Sequence, residues 1–300
     1  MVGGPEATLA SRVASPSSSK QPDSGARPRD GEVLALDDVA VRFGGISALS
    51  GVSFSVPEGI VLGLIGPNGA GKTTLFDVIS GIRTPNAGKV TFRGRDATKA
   101  SAVARSRQGL RRTFQRVQTF GWLTVEDNVL AALEWRGGGG GMFADVVRLP
   151  TRRSRERDRR ARVNEVLEQC GLTAVRSDPV GSLPIGLARM VEFARAIVDE
   201  PKLLLLDEPT SGLDEREAER LIEQLALLRA TSACSVMLVE HDMGFVMEQC
   251  DTVVVLELGQ VIATGTPEEI QENPQVRAAY LGDGSNNRNH GNTELQGGQS

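Results

Sequence analysis

The chain has 300 residues, of which 40% are hydrophobic and 24% charged, and its formal net charge is −4. This balance is typical of a globular protein with one or two domains. The small negative charge gives no indication of nucleic-acid binding, so no nucleic-acid partner is expected. No segment reaches the roughly 18 apolar residues that a membrane-spanning helix needs. The three cysteines lack the spacing of a metal site and are expected to be reduced, packed thiols; they are Cys170, Cys234 and Cys250.

The two ends of the chain differ in composition from the middle. Residues 1–31 are rich in Ser, Pro, Gly and Ala, and residues 284–300 in Asn, Gly, Gln and Ser. Such segments cannot bury enough apolar surface to fold. We therefore predict disordered tails on both sides of one folded region at residues 32–283.

Within this region the apolar patterns predict an α/β fold. Apolar and polar residues alternate at residues 39–43, 52–56 and 89–92, which predicts half-buried strands of an antiparallel sheet. Continuously apolar runs are typical of parallel strands covered by helices on both faces, and they occur at residues 60–65, 203–206, 236–239 and 253–256. Helices are indicated at residues 163–170, before Gly171, and after a capping box that begins at Thr266.

Residues 135–167 have a different character. Residues 137–141 are five glycines, which predict a flexible loop. An arginine cluster follows, which consists of Arg152, Arg153, Arg155, Arg157, Arg159, Arg160 and Arg162. The cluster is either a solvated helix face or a face near anionic lipid headgroups or a partner subunit, and the sequence does not separate these interpretations.

A glycine-rich loop follows the apolar run at residues 60–65. It reads Gly66-Pro67-Asn68-Gly69-Ala70-Gly71-Lys72-Thr73, followed by Thr74, and opens a helix predicted over residues 72–80 and ended by Gly81. Glycines let successive backbone N–H groups point at phosphate oxygens, and the helix N-terminus adds partial positive charge. We expect Lys72 to reach the β- and γ-phosphates and Thr73 to bind Mg²⁺. A fortuitous glycine-rich turn is disfavoured because a strand precedes the motif and a helix follows it.

Two acids end the apolar run at residues 203–206. An acid at the exposed end of a buried strand can hold Mg²⁺, and we predict that role for Asp207. Glu208 is suited to act as the general base for an attacking water. An apolar run with two acids is common by itself, but together with the phosphate loop it indicates nucleoside triphosphate hydrolysis.

With these motifs the chain resembles the ATPases of ABC transporters over nearly all of its folded length. The string that resembles the Walker B motif and D-loop of that family is Asp207-Glu208-Pro209-Thr210-Ser211-Gly212-Leu213-Asp214. The resemblance implies an ABC ATPase domain at residues 32–283, with a P-loop NTPase core and a mostly parallel sheet. It also implies an N-terminal antiparallel β subdomain and an α-helical subdomain at about residues 116–190.

The resemblance assigns roles to three further residues. Phe43 lies where the family stacks an aromatic ring on adenine; the alternative is a core residue of its strand. Gln115 resembles the Q-loop glutamine, which lies near Mg²⁺ and the permease contact. His241 resembles the switch histidine, which contacts the γ-phosphate. A lone histidine is usually structural, but its place after the Walker B motif and a further strand favours the catalytic role.

One motif departs from the family pattern. The signature is usually Leu-Ser-Gly-Gly-Gln, whereas this chain has Leu183-Pro184-Ile185-Gly186-Leu187. The serine hydroxyl and the glutamine are absent, and Pro184 has no N–H. Gly186, with the N-terminus of the helix that follows, is still expected to bind the γ-phosphate of a partner subunit's nucleotide across a dimer.

Several strings resemble the ATPases of branched-chain amino-acid importers, and the Q-loop resembles that of the larger of their two ATPase subunits. These strings are Phe43-Gly44-Gly45, Arg112-Thr113-Phe114-Gln115, Leu123-Thr124-Val125-Glu126-Asp127-Asn128-Val129, Glu240-His241-Asp242-Met243, Gly265-Thr266-Pro267 and Ala279-Tyr280-Leu281-Gly282. The resemblance implies ATP and Mg²⁺ as cofactors and a second ABC ATPase subunit, either identical or different. It further implies two integral-membrane permease subunits, an indirect link to a solute-binding protein, and a place at the cytoplasmic face of the plasma membrane.

Two other classes of function are open at this stage. The first is a soluble ABC ATPase of translation or DNA repair, which the single cassette and the lack of sustained heptads disfavour. The second is a nucleotide-dependent regulatory module with low turnover, which the altered signature leaves open.

Overall fold

The computed structural model describes residues 31–134 and 149–283. The five-glycine run and both predicted tails, apart from Gly31, lie outside the described residues. Among those residues, no helix is long and apolar enough to cross a membrane. The proposed domain boundaries, including the helical subdomain at residues 116–190, stay predictions.

The strands of the described part form two sheets. A four-stranded antiparallel sheet has the order β2-β1-β4-β5, and its strands are β1 (Glu32–Phe43), β2 (Ile46–Pro57), β4 (Ala87–Phe92) and β5 (Arg95–Asp96). A six-stranded sheet has the order β10-β9-β3-β8-β7-β6, and its strands are β3 (Val61–Ile65), β6 (Leu110–Arg112), β7 (Leu203–Asp207), β8 (Ser235–Val239), β9 (Thr252–Glu257) and β10 (Gln260–Gly265). Only β10 pairs antiparallel in the second sheet. The predicted mostly parallel core and N-terminal antiparallel sheet are confirmed.

Helices cover the parallel strands and follow the predicted signals. They are α1 (Lys72–Ser80), α2 (Ala102–Arg107), α3 (Val125–Glu134), α4 (Leu149–Gln169), α5 (Ile185–Ile197), α6 (Glu215–Thr231), α7 (Met243–Gln249), α8 (Pro267–Glu272) and α9 (Pro274–Asp283). Gly81 ends α1 in the left-handed conformation, with φ of 79°. Thr266 forms the predicted capping box with Glu269 at the start of α8.

The apolar core lies on both faces of the six-stranded sheet. Every residue of β3, β7 and β8 is buried. Alternate residues of a strand belong to different clusters: Val61 packs with the helices α3 to α7, whereas Leu62 packs with α1 and the antiparallel sheet. This arrangement explains why these strands are continuously apolar. The three cysteines are free and buried, and burial raises the pKa of each thiol to about 12, so they carry no thiolate at neutral pH.

Arg105, on α2, is a buried cation that the sequence patterns did not single out. Its guanidinium donates hydrogen bonds of 2.6 Å to the carbonyl oxygens of Val78, Ile79 and Ala97, and one of 3.2 Å to that of Ala100. Burial lowers its pKa to about 10, so the group is charged at neutral pH. It satisfies the carbonyl group of Ile79 at the end of α1 and adds a second hydrogen bond to that of Val78, which also accepts from the backbone N–H of Gly81. The side chain therefore fastens the helix of the phosphate loop to the segment between β5 and α2.

We expect Arg105→Met to lower the free energy of unfolding by about 3–5 kcal/mol, because the carbonyl groups of Ile79 and Ala100 would lose their donor and those of Val78 and Ala97 would lose one of two. Denaturant unfolding of the full chain measures this loss. Arg107→Met, on the exposed side of the same helix, is the matched control and should change the value by less than about 0.5 kcal/mol. A loss below about 1 kcal/mol for Arg105→Met would contradict the structural role assigned to it.

Candidate nucleotide-binding and catalytic site

The phosphate loop runs from the end of β3 to the start of α1, and its shape depends on two glycines. Gly66 has φ of 152° and Gly71 has φ of 107°. A Cβ atom at Gly66 would lie 2.0 Å from the carbonyl oxygen of Leu256, and one at Gly71 would lie 2.6 Å from that of Ala48. Side chains at these positions would therefore collide with the backbone around β9 and β2. The close approach fixes the loop against both sheets.

Lys72 occupies the inside of this loop. Its side chain is buried, and Nζ donates hydrogen bonds to the carbonyl oxygens of Gly66, at 2.5 Å, and Pro67, at 3.1 Å. Burial lowers the pKa of Lys72, and the nearby carboxylates of Glu208 and Asp207 oppose that shift. The lysine thus places its ammonium group inside the loop, against the carbonyl oxygens of the first two loop residues.

Four neighbouring parallel strands bring the predicted residues to one edge of the sheet. In the order β3-β8-β7-β6, the phosphate loop follows β3, His241 follows β8, Asp207 ends β7 and Gln115 follows β6. The carboxyl ends of neighbouring parallel strands meet at the same edge, which is where ligands bind in open α/β sheets. Residues from distant parts of the chain therefore lie close together here.

Glu208 lies at the centre of this cluster. Its Oε2 accepts a hydrogen bond of 2.9 Å from Nε2 of Gln115, and its Oε1 lies 2.8 Å from Nε2 of His241. The backbone of Glu208 has φ of 49°, a conformation that is uncommon for a residue other than glycine. The structure thus brings together all three residues that the sequence predicts as catalytic.

Asp207 is held by an arginine. The carboxylate is buried, and its Oδ2 accepts a hydrogen bond of 3.1 Å from Nη2 of Arg112, whose Nη1 donates to Oδ1 of Asp77 at 2.7 Å. Burial raises the pKa of Asp207, and the bond from Arg112 opposes this shift. Arg112 connects the end of β7 to α1, a contact that the sequence did not reveal.

Glu240 is a second residue of the site that sequence reasoning missed. Its buried Oε1 accepts hydrogen bonds from the backbone N–H and the hydroxyl of Thr210, at 2.8 and 2.6 Å. Oε2 accepts one of 3.2 Å from the backbone N–H of His241. The contacts join the turn after Glu208 to the turn after β8. Glu240 stands in a string that the sequence analysis quoted, but no local pattern identifies its partner.

Phe43 and Gly186, which are both predicted to contact nucleotide, differ in their exposure to solvent. Phe43 is 43% exposed, so the alternative that it is a core residue is wrong; the Arg83 guanidinium carbon lies 4.3 Å from its ring centroid. Gly186 is buried in the first turn of α5, and a Cβ atom there would lie 1.9 Å from the carboxylate of Glu217. Glu217 thus covers Gly186 on the side where a side chain would stand. Adenine stacking by Phe43 and a phosphate contact by Gly186 stay predictions.

Comparison with known proteins agrees with this geometry. A family model described as "ABC transporter" matches residues 49–211, which is more than half of the chain. The chain belongs to the ABC transporter family of ATPases. A second model, described as "Branched-chain amino acid ATP-binding cassette transporter", matches residues 260–285 of this ABC ATPase.

The ABC ATPase aligns with its relatives over nearly the whole length of those relatives. It is 37% identical over 251 residues to the high-affinity branched-chain amino acid transport ATP-binding protein BraF of Pseudomonas aeruginosa, and 36% identical over 251 residues to LivG of Escherichia coli. Each alignment covers 84% of this chain and 98% of the relative. A crystal structure of a nucleotide-free ATP-binding cassette from an ABC transporter has a TM-score of 0.71 and 29% identity, and covers 83% of this chain and 98% of that one. The predicted α/β P-loop fold and ABC-type ATPase activity are confirmed.

The arginine cluster of the ABC ATPase is partly described. Nε of Arg160 lies 2.8 Å from Oε1 of Glu156, and Nη1 of Arg160 lies 3.9 Å from Oε1 of Glu126. Nη1 of Arg162 lies 2.8 Å from Oε2 of Glu165. The side chains of Arg152, Arg153 and Arg155 lie outside the described residues. Such ion pairs are typical of a solvated helix face. The interpretations of a face near lipid headgroups or near a partner subunit are not tested by these contacts.

Proposed function

We propose that the chain is the ATPase subunit of an importer and energises the uptake of branched-chain amino acids or related small solutes. The observation that carries the proposal is the Glu208 carboxylate held between Gln115 and His241, at the sheet edge that also carries the phosphate loop. The names of the relatives BraF and LivG support the class of solute. This chain would lie at the cytoplasmic face of the plasma membrane as a peripheral subunit.

The residues at this edge fit MgATP. Phosphates would bind the backbone N–H groups of residues 68–74 and the Lys72 ammonium group, with Gly66 and Pro67 shaping the start of the loop and adenine on Phe43. Mg²⁺ prefers oxygen ligands, and the site offers the exposed hydroxyl of Thr73, the carboxylate of Asp207 and the amide oxygen of Gln115. A bound Mg²⁺ would neutralise the charge that develops on the phosphates.

Glu208 and His241 would perform the catalytic steps. The Glu208 carboxylate accepts the proton of the attacking water, so its hydrogen bonds to Gln115 and His241 must rearrange when nucleotide enters. His241 then contacts the γ-phosphate. A second ABC ATPase subunit, identical or different, would complete each site by presenting its signature, and this chain would offer Gly186 in return.

An exposed aromatic pair follows the Q-loop residue Gln115. Trp122 is 80% exposed and Phe120 is 39% exposed, and their ring centroids lie 6.0 Å apart. Exposed apolar groups of this size mark interaction surfaces when they cluster. The pair lies a few residues after Gln115, so a permease that contacts it would be linked to the site. We propose that the importer has two integral-membrane permease subunits, that one of them binds this surface, and that a solute-binding protein acts through them.

We expect Trp122→Ala to reduce co-purification of the permeases with this chain by about tenfold or more, because an aromatic anchor of an interface is lost. ATP binding by the isolated chain should not change. Leu258→Ala is the matched control, since Leu258 is 82% exposed in the turn between β9 and β10. The proposal is contradicted if wild-type protein co-purifies with no hydrophobic chains, or if Trp122→Ala and wild type recover them equally.

A further inference from the structure

Helix α5 holds the segment between Gln115 and the aromatic pair. The buried carboxylate of Glu192 accepts a hydrogen bond of 3.2 Å from the backbone N–H of Gln118. Arg195, three residues further along α5, donates from Nη1 to the carbonyl oxygen of the same Gln118. Both backbone polar groups of one residue are therefore held by one helix. The Arg195 guanidinium carbon also lies 5.0 Å from the ring centroid of Phe120.

A third side chain of α5 reaches the catalytic end of the same segment. Arg189 donates from Nη2 to the carbonyl oxygen of Gln115 at 3.2 Å, and from Nη1 to that of Glu208 at 3.3 Å. One helix thus contacts the general base, the Q-loop glutamine and an aromatic residue of the proposed permease surface. Helices are stiff on this length scale, so displacement of α5 would move these contacts together.

The burial of Glu192 argues that its contact is specific. Taking a carboxylate out of water is unfavourable unless donors satisfy it. Burial raises the pKa of Glu192, and the backbone N–H groups of Gln118 and Phe114 are the strongest opposing influence. The donors that favour its charged form are therefore on the segment around Gln115.

We propose that Glu192 and Arg195 are positioning residues, which fix the backbone from Gln115 to Trp122 so that Gln115 meets Glu208 and movement of α5 reaches the aromatic pair. The inference rests on the proposed transport function, but the contact itself exists without nucleotide. It can therefore be tested separately from ATP hydrolysis.

Hydrogen exchange of the full, nucleotide-free chain tests the contact. Glu192→Met removes the acceptor at similar volume, so exchange of the Gln118 amide should accelerate about tenfold or more. Glu192→Gln keeps one acceptor oxygen and should remain within about threefold of wild type. Arg220→Met, at an exposed position of α6, is the control and should leave this amide unchanged. Exchange in the buried strands β3 and β7 should be the same in all variants.

Steady-state kinetics distinguish positioning from general stabilisation. We expect Glu192→Met and Arg195→Met to lower kcat for MgATP about tenfold with KM changed less than about twofold, because Gln115 is displaced without loss of the phosphate loop. Glu192→Gln should retain most of the wild-type kcat. Where a methionine variant does not fold, Arg195→Lys should show a smaller loss of kcat, again with KM nearly unchanged.

Three results would overturn the inference: unchanged exchange at Gln118 in Glu192→Met, accelerated exchange throughout the chain, or an equal loss of kcat in Arg220→Met. A wild-type chain that neither binds nor hydrolyses MgATP would refute the proposed function instead. In that case the exchange experiment would still decide whether α5 holds Gln118.

Discussion

Glu208→Gln should lower kcat of the ABC ATPase by about 10²- to 10⁴-fold and leave KM for MgATP nearly unchanged. An amide has the shape of the carboxylate and can still bond to Gln115 and His241, but it cannot accept a proton from the attacking water. Because Lys72 and the loop glycines are untouched, binding of nucleotide should persist. The loss therefore belongs to the chemical step.

The rate of phosphate release at saturating MgATP, measured on the full chain with its ATPase partner, gives kcat for wild type and for Glu208→Gln. Glu248→Gln, at an exposed position on α7, is the control for loss of one carboxylate and should behave as wild type. A kcat for Glu208→Gln within about threefold of wild type would show that Glu208 is not the general base.

Lys72→Met should weaken ATP binding about a hundredfold, because two charge-assisted hydrogen bonds to phosphate oxygens would be lost. The methionine also removes a donor from the carbonyl oxygens of Gly66 and Pro67, although that of Pro67 keeps the backbone N–H of Ala70. No change in the core is involved, so we expect the thermal midpoint to stay within a few degrees of wild type.

Titration with a fluorescent ATP analogue measures the dissociation constant in both proteins. Lys89→Met removes a cation from an exposed position of β4 and should bind the analogue as wild type does. Binding by Lys72→Met within about threefold of wild type would contradict the place of this lysine beside the phosphates.

Much of the fold could be predicted because the signals are local. The apolar runs that became β3 and β7 have no polar residue until the strand ends, which is sufficient to indicate burial on both faces. The capping box at Thr266 and the turn at Gly81 are likewise read from adjacent residues. The phosphate loop, Asp207 and Glu208 follow from such strands directly, so their place at one sheet edge was foreseeable.

Contacts between distant side chains could not be predicted. Arg105 bonds to Val78, 27 residues away, and Arg112 bonds to Asp207, 95 residues away. Glu192 bonds to Gln118 over a separation of 74 residues. Each is a charged residue on a short element or a helix, and periodicity does not show which charged residues become buried. The contact between the carboxylate of Glu217 and Gly186 could not be predicted for the same reason.

Solute uptake by reconstituted complex tests the central claim most directly. The complex, purified from its native cells through a tag on this chain and placed in vesicles, should take up labelled leucine only when MgATP is present on the side that carries the ATPase subunits. With Glu208→Gln in this chain, the complex should assemble and bind ATP, and uptake should fall about tenfold or more. ATP-dependent uptake at the wild-type rate with Glu208→Gln, or wild-type complex that transports no branched-chain amino acid or related solute, would contradict the account.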